Sequence, residues 1–392
     1  METPSTYIGV ATTVVPKLKQ TKQGKWKRPA MQYVRLAEVA RKRYNAMVYL
    51  FHPHRVDWSR GRVEAWLPES LDHPRQNWVK RTVPLPDVIY ENVFVHLAIK
   101  GYTASLRQEA QKRRIPLFNP VLPGKWRMVE LLKQSGMMSY SPETERLRSP
   151  SQLRRRLGQW GIAFVKPVGG YGGMDVNRVE RLGDGRYRVG VDRTSAKTAR
   201  MRVTMGDAEL AKWSEGKIRR PHLLQRGLRL MTVGNRKVDF RVVVHRDVRG
   251  DWQLVGIVPK MAAADGVVTN IIAGGQRIDL EALVAAARTE NKEIPVALLD
   301  QKSKDIAKQL SNRYPTVGLV GFDMAVEENG KVSMIEMNPK PARSLLSVPM
   351  LEQLAIHTVG FAVFLARKRR KAGAVLAGFE TSQSIPLLDH DA

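Results

Sequence analysis

The chain has 392 residues, 43% of them hydrophobic, with 65 Lys and Arg against 37 Asp and Glu, a formal net charge of +28, and no cysteine. Disulfides, thiolate metal sites and a cysteine nucleophile are thereby excluded, and so is a disordered polyelectrolyte, because the apolar content suffices for cores in two or three domains. The positive surplus attracts anions without reading sequence, so a nucleotide, a nucleic acid, an acidic polymer, an anionic membrane surface and a merely solvated basic face all stay open.

Met1 to Val10 lacks a basic segment leading into an apolar core, so no secretory signal is expected, and a cytoplasmic location fits the absence of cysteine. Tyr7 to Val15 reads as a strand. Met31 to Tyr44 carries Met31, Val34, Leu36, Ala37 and Ala40 at the spacing of an amphipathic helix, followed by strands at Ala46 to Phe51 and Asp87 to Tyr90. A second helix is predicted over Val95 to Arg114. This alternation argues for a small α/β unit ending near Asn119. From Lys125 onward, short strands, glycine loops and hairpins mix with helices at Glu281 to Ala287 and Ala297 to Tyr314, which suggests α+β. Leu354 to Ala366 is apolar but shorter than the roughly 20 residues a bilayer requires; with Lys368 to Lys371 behind it, a buried helix with a basic end is expected and no transmembrane segment. Thr381 to Ala392 reads as a loose tail.

The sharpest chemical signal lies in Val320 to Pro339. Asn329-Gly330 between apolar runs predicts a two-residue hairpin turn, with Glu328 paired to Lys331. Counting outward sets Asp323 opposite Glu336, with Asn338 on the same face and Phe322, Met324, Val326, Ile335 and Met337 on the other. Opposed like charges on a ladder call for a compensating cation, and hard oxygen ligands suit Mg²⁺; a solvated surface hairpin is the alternative. In Phe164 to Gly173 a strand delivers Lys166 to a loop containing Gly169, Gly170, Tyr171, Gly172 and Gly173, an arrangement suited to phosphate and equally to an ordinary turn. Neither a Walker pattern nor a dinucleotide fingerprint is present. Asp239 and Arg241 share one face of an alternating strand, where the arginine requires a phosphate or Asp239 itself as partner. Lys260 closes a later strand, and Asn270 precedes another glycine turn.

In this order (strand lysine with glycine loop, Gln225-Arg226-Gly227, Asp-x-Arg, Asn before Gly-Gly, and an acid hairpin closing Glu-x-Asn-Pro) the motifs resemble the ATP-grasp superfamily, and within it the YheC/YheD group described as endospore-coat-associated. The resemblance implies an N-terminal α/β domain over residues 1–118 and an α+β ATP-grasp fold over 119–371, with a lid subdomain at about 119–225, a metal-binding subdomain at about 226–371, and a tail at 372–392. It implies ATP and Mg²⁺: Lys125 and Lys166 on the phosphates, Gly169 to Gly173 as a lid, Leu224, Gln225 and Gly227 as the adenine-side hinge, Asn270 on the nucleotide, Arg241 on the transferred phosphate, and Asp323, Glu336 and Asn338 on the metal. Arg226 stands where many such hinges carry an acid. Pro339-Lys340-Pro341-Ala342-Arg343 lacks the glycine common in ligases, and Lys340 and Arg343 are expected on a solvated loop, with contact to an anionic acceptor as the alternative. The implied activity is ligation of an unknown carboxylate to an amine or thiol through an acyl phosphate. The alternative is a non-catalytic coat or scaffold protein attached to an acidic layer or to spore coat components. Specific nucleic-acid binding is not expected, since no aromatic stacking motif accompanies clusters such as Arg154 to Arg156.

Overall fold

The computed structural model describes residues 3–14, 16–21, 24–120, 122, 124–169, 175–191, 201–262 and 275–382. Gly170 to Gly173 and Asn270 lie outside them.

The N-terminal part comprises β1 (Thr6–Ala11), a separate hairpin of β2 (Lys17–Thr21) and β3 (Gly24–Arg28), α1 (Met31–Tyr44), β4 (Ala46–Asp57), β5 (Arg62–Pro68), β6 (Trp78–Pro84), β7 (Val88–Glu91), α2 (Val95–Ile99), α3 (Ala104–Lys112) and β8 (Leu117–Phe118). Its sheet runs β6-β5-β4-β1-β7-β8, parallel from β4 through β8 and antiparallel at β5 and β6. The single helix expected over Val95 to Arg114 is two, because Gly101, at φ +81°, takes a left-handed conformation that ends the first. Thr103, just beyond the break, turns its hydroxyl to the buried Glu91 carboxylate.

A second, antiparallel sheet follows: α4 (Lys125–Gln134), β9 (Thr144–Arg146), α5 (Pro150–Trp160), β10 (Ile162–Pro167), β11 (Asn177–Arg181), β12 (Tyr187–Val191), β13 (Met201–Met205), α6 (Asp207–Ile218) and β14 (His222–Arg226), in the order β13-β12-β11-β10-β14-β9. The third sheet comes from β15 (Thr232–Val233), β16 (Arg236–Arg246), β17 (Trp252–Met261), β18 (Gln276–Arg277), α7 (Leu280–Thr289), α8 (Val296–Arg313), β19 (Leu319–Val326) and β20 (Val332–Asn338), and the chain continues into α9 (Val348–Ser382). Helix α4 precedes the second sheet in sequence but packs elsewhere: Met128, Leu131 and Leu132 enter the core of the third sheet with Phe240, Phe322 and Met337. The α/β unit followed by α+β expected from the sequence is the architecture found.

Helix α9 does not end where the apolar stretch does. Val348–Ala372 is long and apolar enough to cross a membrane by length and composition, yet half of its most apolar window is buried in the protein. Ala355, Val359, Phe361 and Ala362 pack against Tyr33, Leu36 and Ala40 of α1 and Tyr90 of β7, so this last helix completes the N-terminal core. Burial of that stripe fixes the first sheet against the third.

The β19–β20 hairpin departs from expectation twice, and the two departures cancel. Only Gly330 has a positive φ, at +80°, and Glu327 N–H bonds the Lys331 carbonyl, so the loop is one residue longer than a two-residue turn and the ladder starts at Val326 opposite Val332. A bulge then shifts the register between Asp323 and Met324, leaving Asp323 opposite Glu336. Ile335 is the inserted residue; Met334, not Ile335, joins Phe322, Met324 and Val326 in the core.

Candidate active site

A cleft of about 610 Å³ opens where the three sheets meet. Strand β10 brings Lys166 to its wall and β14 brings Gln225; α4 begins with Lys125, and β20 presents Glu336 and Asn338. The N-terminal part closes the far side with Phe94 and Ile99, which are 57% and 68% exposed.

Lys166 is 6% exposed and donates to Gln225 Oε1 at 2.8 Å. The Gln225 amide is oriented in turn, since its Nε2 donates to Thr144 Oγ1 at 2.9 Å and that hydroxyl donates to the Pro142 carbonyl at 2.8 Å. Burial pushes the Lys166 ammonium down to about 8; the charge of Glu336 opposes the shift and that of Lys125 adds to it. Such a lysine lacks a full counter-charge, and a phosphate oxygen would provide one.

Behind the cleft a row of charges crosses the third sheet. Asp239 faces Lys260 on β17, and Arg241 faces Asp323 on β19. Arg241 holds Asp323 in a fork, Nε to Oδ1 at 2.8 Å and Nη2 to Oδ2 at 3.1 Å, and Lys260 Nζ bridges Asp239 at 3.0 Å and Asp323 at 2.9 Å. Burial alone would raise the Asp323 carboxyl, but Lys260 and Arg241 hold it well below the usual carboxylate range; burial likewise works against the charges of Arg241 and Lys260, and the carboxylates beside them raise both. Arg241 therefore has the partner that geometry allows it, and that partner is Asp323 rather than Asp239.

Asn338 Nδ2 donates to Asp323 Oδ2 at 3.1 Å. Asp323, Glu336 and Asn338 thus stand together as the hairpin count requires. Glu336 differs from Asp323 in what surrounds it: among the described residues the charged contact to its carboxylate is Lys125 Nζ at 3.5 Å, and the side chain lines the cleft. Among the described residues no three His, Cys, Asp or Glu side chains converge as a metal site. Glu336 and the Asn338 amide oxygen supply hard oxygens that fit Mg²⁺ in kind, whereas each Asp323 oxygen already accepts two bonds, from Arg241 and Lys260 on Oδ1 and from Arg241 and Asn338 on Oδ2. Lys125, Lys166, Arg241 and Lys260 face Asp239, Asp323 and Glu336, so this constellation carries one surplus positive charge and is matched to an anion.

The segment Leu224 to Gly227, which the family resemblance sets on the adenine side, is largely engaged within the second sheet. Leu224 points into the core of the second sheet, the N–H groups of Arg226 and Gly227 are bonded to the Glu143 and Ile162 carbonyls, and only the Gln225 side chain from this stretch reaches the cleft. Gly227 is required by contact, since a Cβ there would lie 2.3 Å from Ile162. Gly169 reaches the cleft rim, exposed. Lys340 and Arg343 do not lie on a solvated loop. Lys340 Nζ donates to the Val93 and Glu91 carbonyls at 2.8 and 3.2 Å while lining the cleft, and Arg343 bonds Tyr90 Oη at 2.8 Å and also Gln32, so the loop after β20 is fastened to the first sheet. Gly321 permits the approach, because a Cβ there would meet Pro341 at 2.8 Å and Arg241 at 3.2 Å.

Lys260 and Thr144 have no role in the sequence-based expectation. The signal for Lys260 is a lone charge closing the apolar run Leu254 to Pro259, and in the sheet it stands level with Asp239; Thr144 has none, because only tertiary pairing of β9 with β14 brings it to Gln225.

The sequence model of the family described as YheC/D-like ATP-grasp matches residues 114–365. The endospore coat-associated protein YheD of Bacillus subtilis (strain 168) is 26% identical over 315 residues, covering 78% of this chain and 67% of that protein. YheC of the same organism is 22% identical over 319 residues, covering 79% and 84%. Among solved structures, the D-alanine-D-alanine ligase of Coxiella burnetii shares 12% identity and a TM-score of 0.50 over 97% of this chain and 99% of that one, a likeness of fold.

Proposed function

The chain belongs to the YheC/D-like ATP-grasp family, and we propose that it is an ATP-dependent ligase joining a carboxylate to an amine or a thiol through an acyl phosphate. The observation that carries this reading is the cleft itself, a space of about 610 Å³ lined together by two lysines from different elements, Lys125 and Lys166, and by the Glu336 carboxylate, which Lys125 approaches at 3.5 Å.

In this reading the triphosphate lies between Lys166 and Glu336. Lys125 and Lys166 bind its oxygens as point charges, and Gln225, fixed by Thr144, keeps Lys166 aimed inward. A carboxylate oxygen of the acceptor attacks the γ-phosphorus, the bond to the β-phosphate oxygen breaks, and ADP leaves. The amine or thiol then adds to the acyl carbon, loses its proton, and expels phosphate. No protein nucleophile takes part. Arg241, held in place by Asp323, lies across β19 from Glu336 to stabilise charge on the transferred group. Mg²⁺, where bound, would be held by Glu336 and the Asn338 amide oxygen, with Asp323 joining them only by giving up one of its bonds to Arg241, Lys260 or Asn338, and would neutralise charge on the phosphate oxygens. Phe94 and Ile99 on the far wall keep that side of the cleft apolar and limit water at the reacting carbon. The coat-associated naming of the relatives supports a coat-directed product, with ligation itself requiring an ATP-containing compartment.

The test is ADP release by the full chain with MgATP over a panel of peptide, amino-acid and cell-wall carboxylates crossed with amines and thiols. Release that requires both partners, and that is lost in Lys166→Ala with the fold intact, is the expected result. Nucleotide binding without ADP release anywhere in the panel would remove the ligase reading and leave a nucleotide-binding coat component.

A further inference from the structure

A second concavity of about 410 Å³ lies beside the cleft, between the first turns of α4 and α5, lined by Trp126, Arg146, Arg148, Arg155 and Glu145. Its three arginines are exposed. Neighbouring arginines use up the local acids: Arg156 forks onto Glu145 at 2.9 and 3.0 Å, and Arg154 approaches Asp207 at 3.4 Å, so Arg146, Arg148 and Arg155 are left without a carboxylate in ion-pair contact among the described residues.

The loop that carries them is held in shape by Gln152. Its Oε1 accepts from Arg148 N–H at 2.7 Å and its Nε2 donates to the Arg146 carbonyl at 3.0 Å, while Ser149 caps the helix by accepting from Gln152 N–H at 3.1 Å. The Arg146 guanidinium lies over the Trp126 ring at 4.9 Å, which fixes its plane. Like charges gathered on a preformed concave wall repel one another unless an anion joins them, and guanidinium forks match the oxygens of phosphate. The volume exceeds that of a single phosphate group.

We propose that this concavity is a binding site for a multiply charged phosphate compound, separate from the nucleotide cleft. Lys125 and Trp126 are adjacent on α4, and Thr144 and Arg146 share one face of β9, so an occupant would lie against the same two elements that carry the cleft lysine and the Gln225 support.

The experiment is isothermal titration of the full chain with sodium tripolyphosphate at fixed ionic strength, with orthophosphate and citrate as comparison arms. It is run in the Lys125→Gln/Lys166→Gln background so that the cleft does not contribute. Tripolyphosphate is expected to bind at one site, at least tenfold tighter than citrate, and to lose at least tenfold in affinity in Arg146→Gln/Arg148→Gln/Arg155→Gln. Arg155→Gln alone, on an exposed side chain, gives a second variant and is expected to lose severalfold. Unchanged affinity in these variants would overturn the site; citrate binding as tightly as tripolyphosphate would overturn its assignment to phosphate.

Discussion

Replacing Lys166 by Met separates stability from binding in a way that its burial dictates. In the folded chain its ammonium is pushed down from 10.5 to about 8, which at 1.36 kcal/mol per unit is roughly 3 kcal/mol of penalty for keeping it charged below pH 8. Methionine removes that penalty and also removes the hydrogen bond to Gln225, whose buried acceptor then costs about 1 to 2 kcal/mol. The apo variant is therefore expected to be about 1 to 2 kcal/mol more stable than the parent at pH 7, while losing nucleotide binding. The folded-state value lies below the unfolded one, so the unfolded chain binds more protons between pH 8 and 10.5, and parent stability rises through that window. The advantage of the variant shrinks over the same window and reverses at about pH 9, so that the parent is the more stable of the two at pH 10. Urea unfolding of both proteins at pH 7 and pH 10 measures the difference, and the similarly depressed Lys340, present in both, cancels. A variant less stable than the parent by the same amount at both pH values would refute the reasoning.

Asp323→Asn leaves Arg241 and Lys260 buried with Asp239 as their remaining carboxylate and is expected to cost about 3 to 5 kcal/mol in urea unfolding, whereas Glu336→Gln, at one long contact, stays within about 1 kcal/mol. Affinity for a nucleotide analogue, measured from pH 7 to 10 by titration calorimetry, is expected to fall by up to about tenfold per unit above pH 8 as Lys166 loses its proton. Gly227→Ala forces a Cβ to within 2.3 Å of Ile162 and is expected to destabilise the second sheet by about 1 to 3 kcal/mol, read by urea unfolding.

Local patterning makes the α1 helix, the main strands and the acid hairpin legible in the amino-acid sequence, because alternation and helical spacing are properties of a few consecutive residues. Asp323 opposite Glu336 follows from a count that misses both the longer loop and the bulge at Ile335; one extra residue in a turn, or one in a strand, leaves no trace in the alternation of polar and apolar types. The fork from Arg241 to Asp323 is ambiguous for a different reason, since the residue across a sheet cannot be chosen until the neighbouring strand is known. The same limit hides the roles of Lys340 and Arg343, which reach the first sheet more than 240 residues away in sequence. Leu224 and Gly227 are assigned by family position, which carries no information on the strand pairing that bonds the Arg226 and Gly227 N–H groups to the Glu143 and Ile162 carbonyls.

The proposed ligation requires a divalent cation shared between the hairpin oxygens and a triphosphate in the cleft. Titration calorimetry of the full chain with AMPPNP, with and without Mg²⁺ and in Glu336→Gln, tests it most directly. Affinity at least tenfold higher with Mg²⁺ in the parent, with that difference abolished in the variant, is the predicted result; equal affinity in all conditions would contradict it.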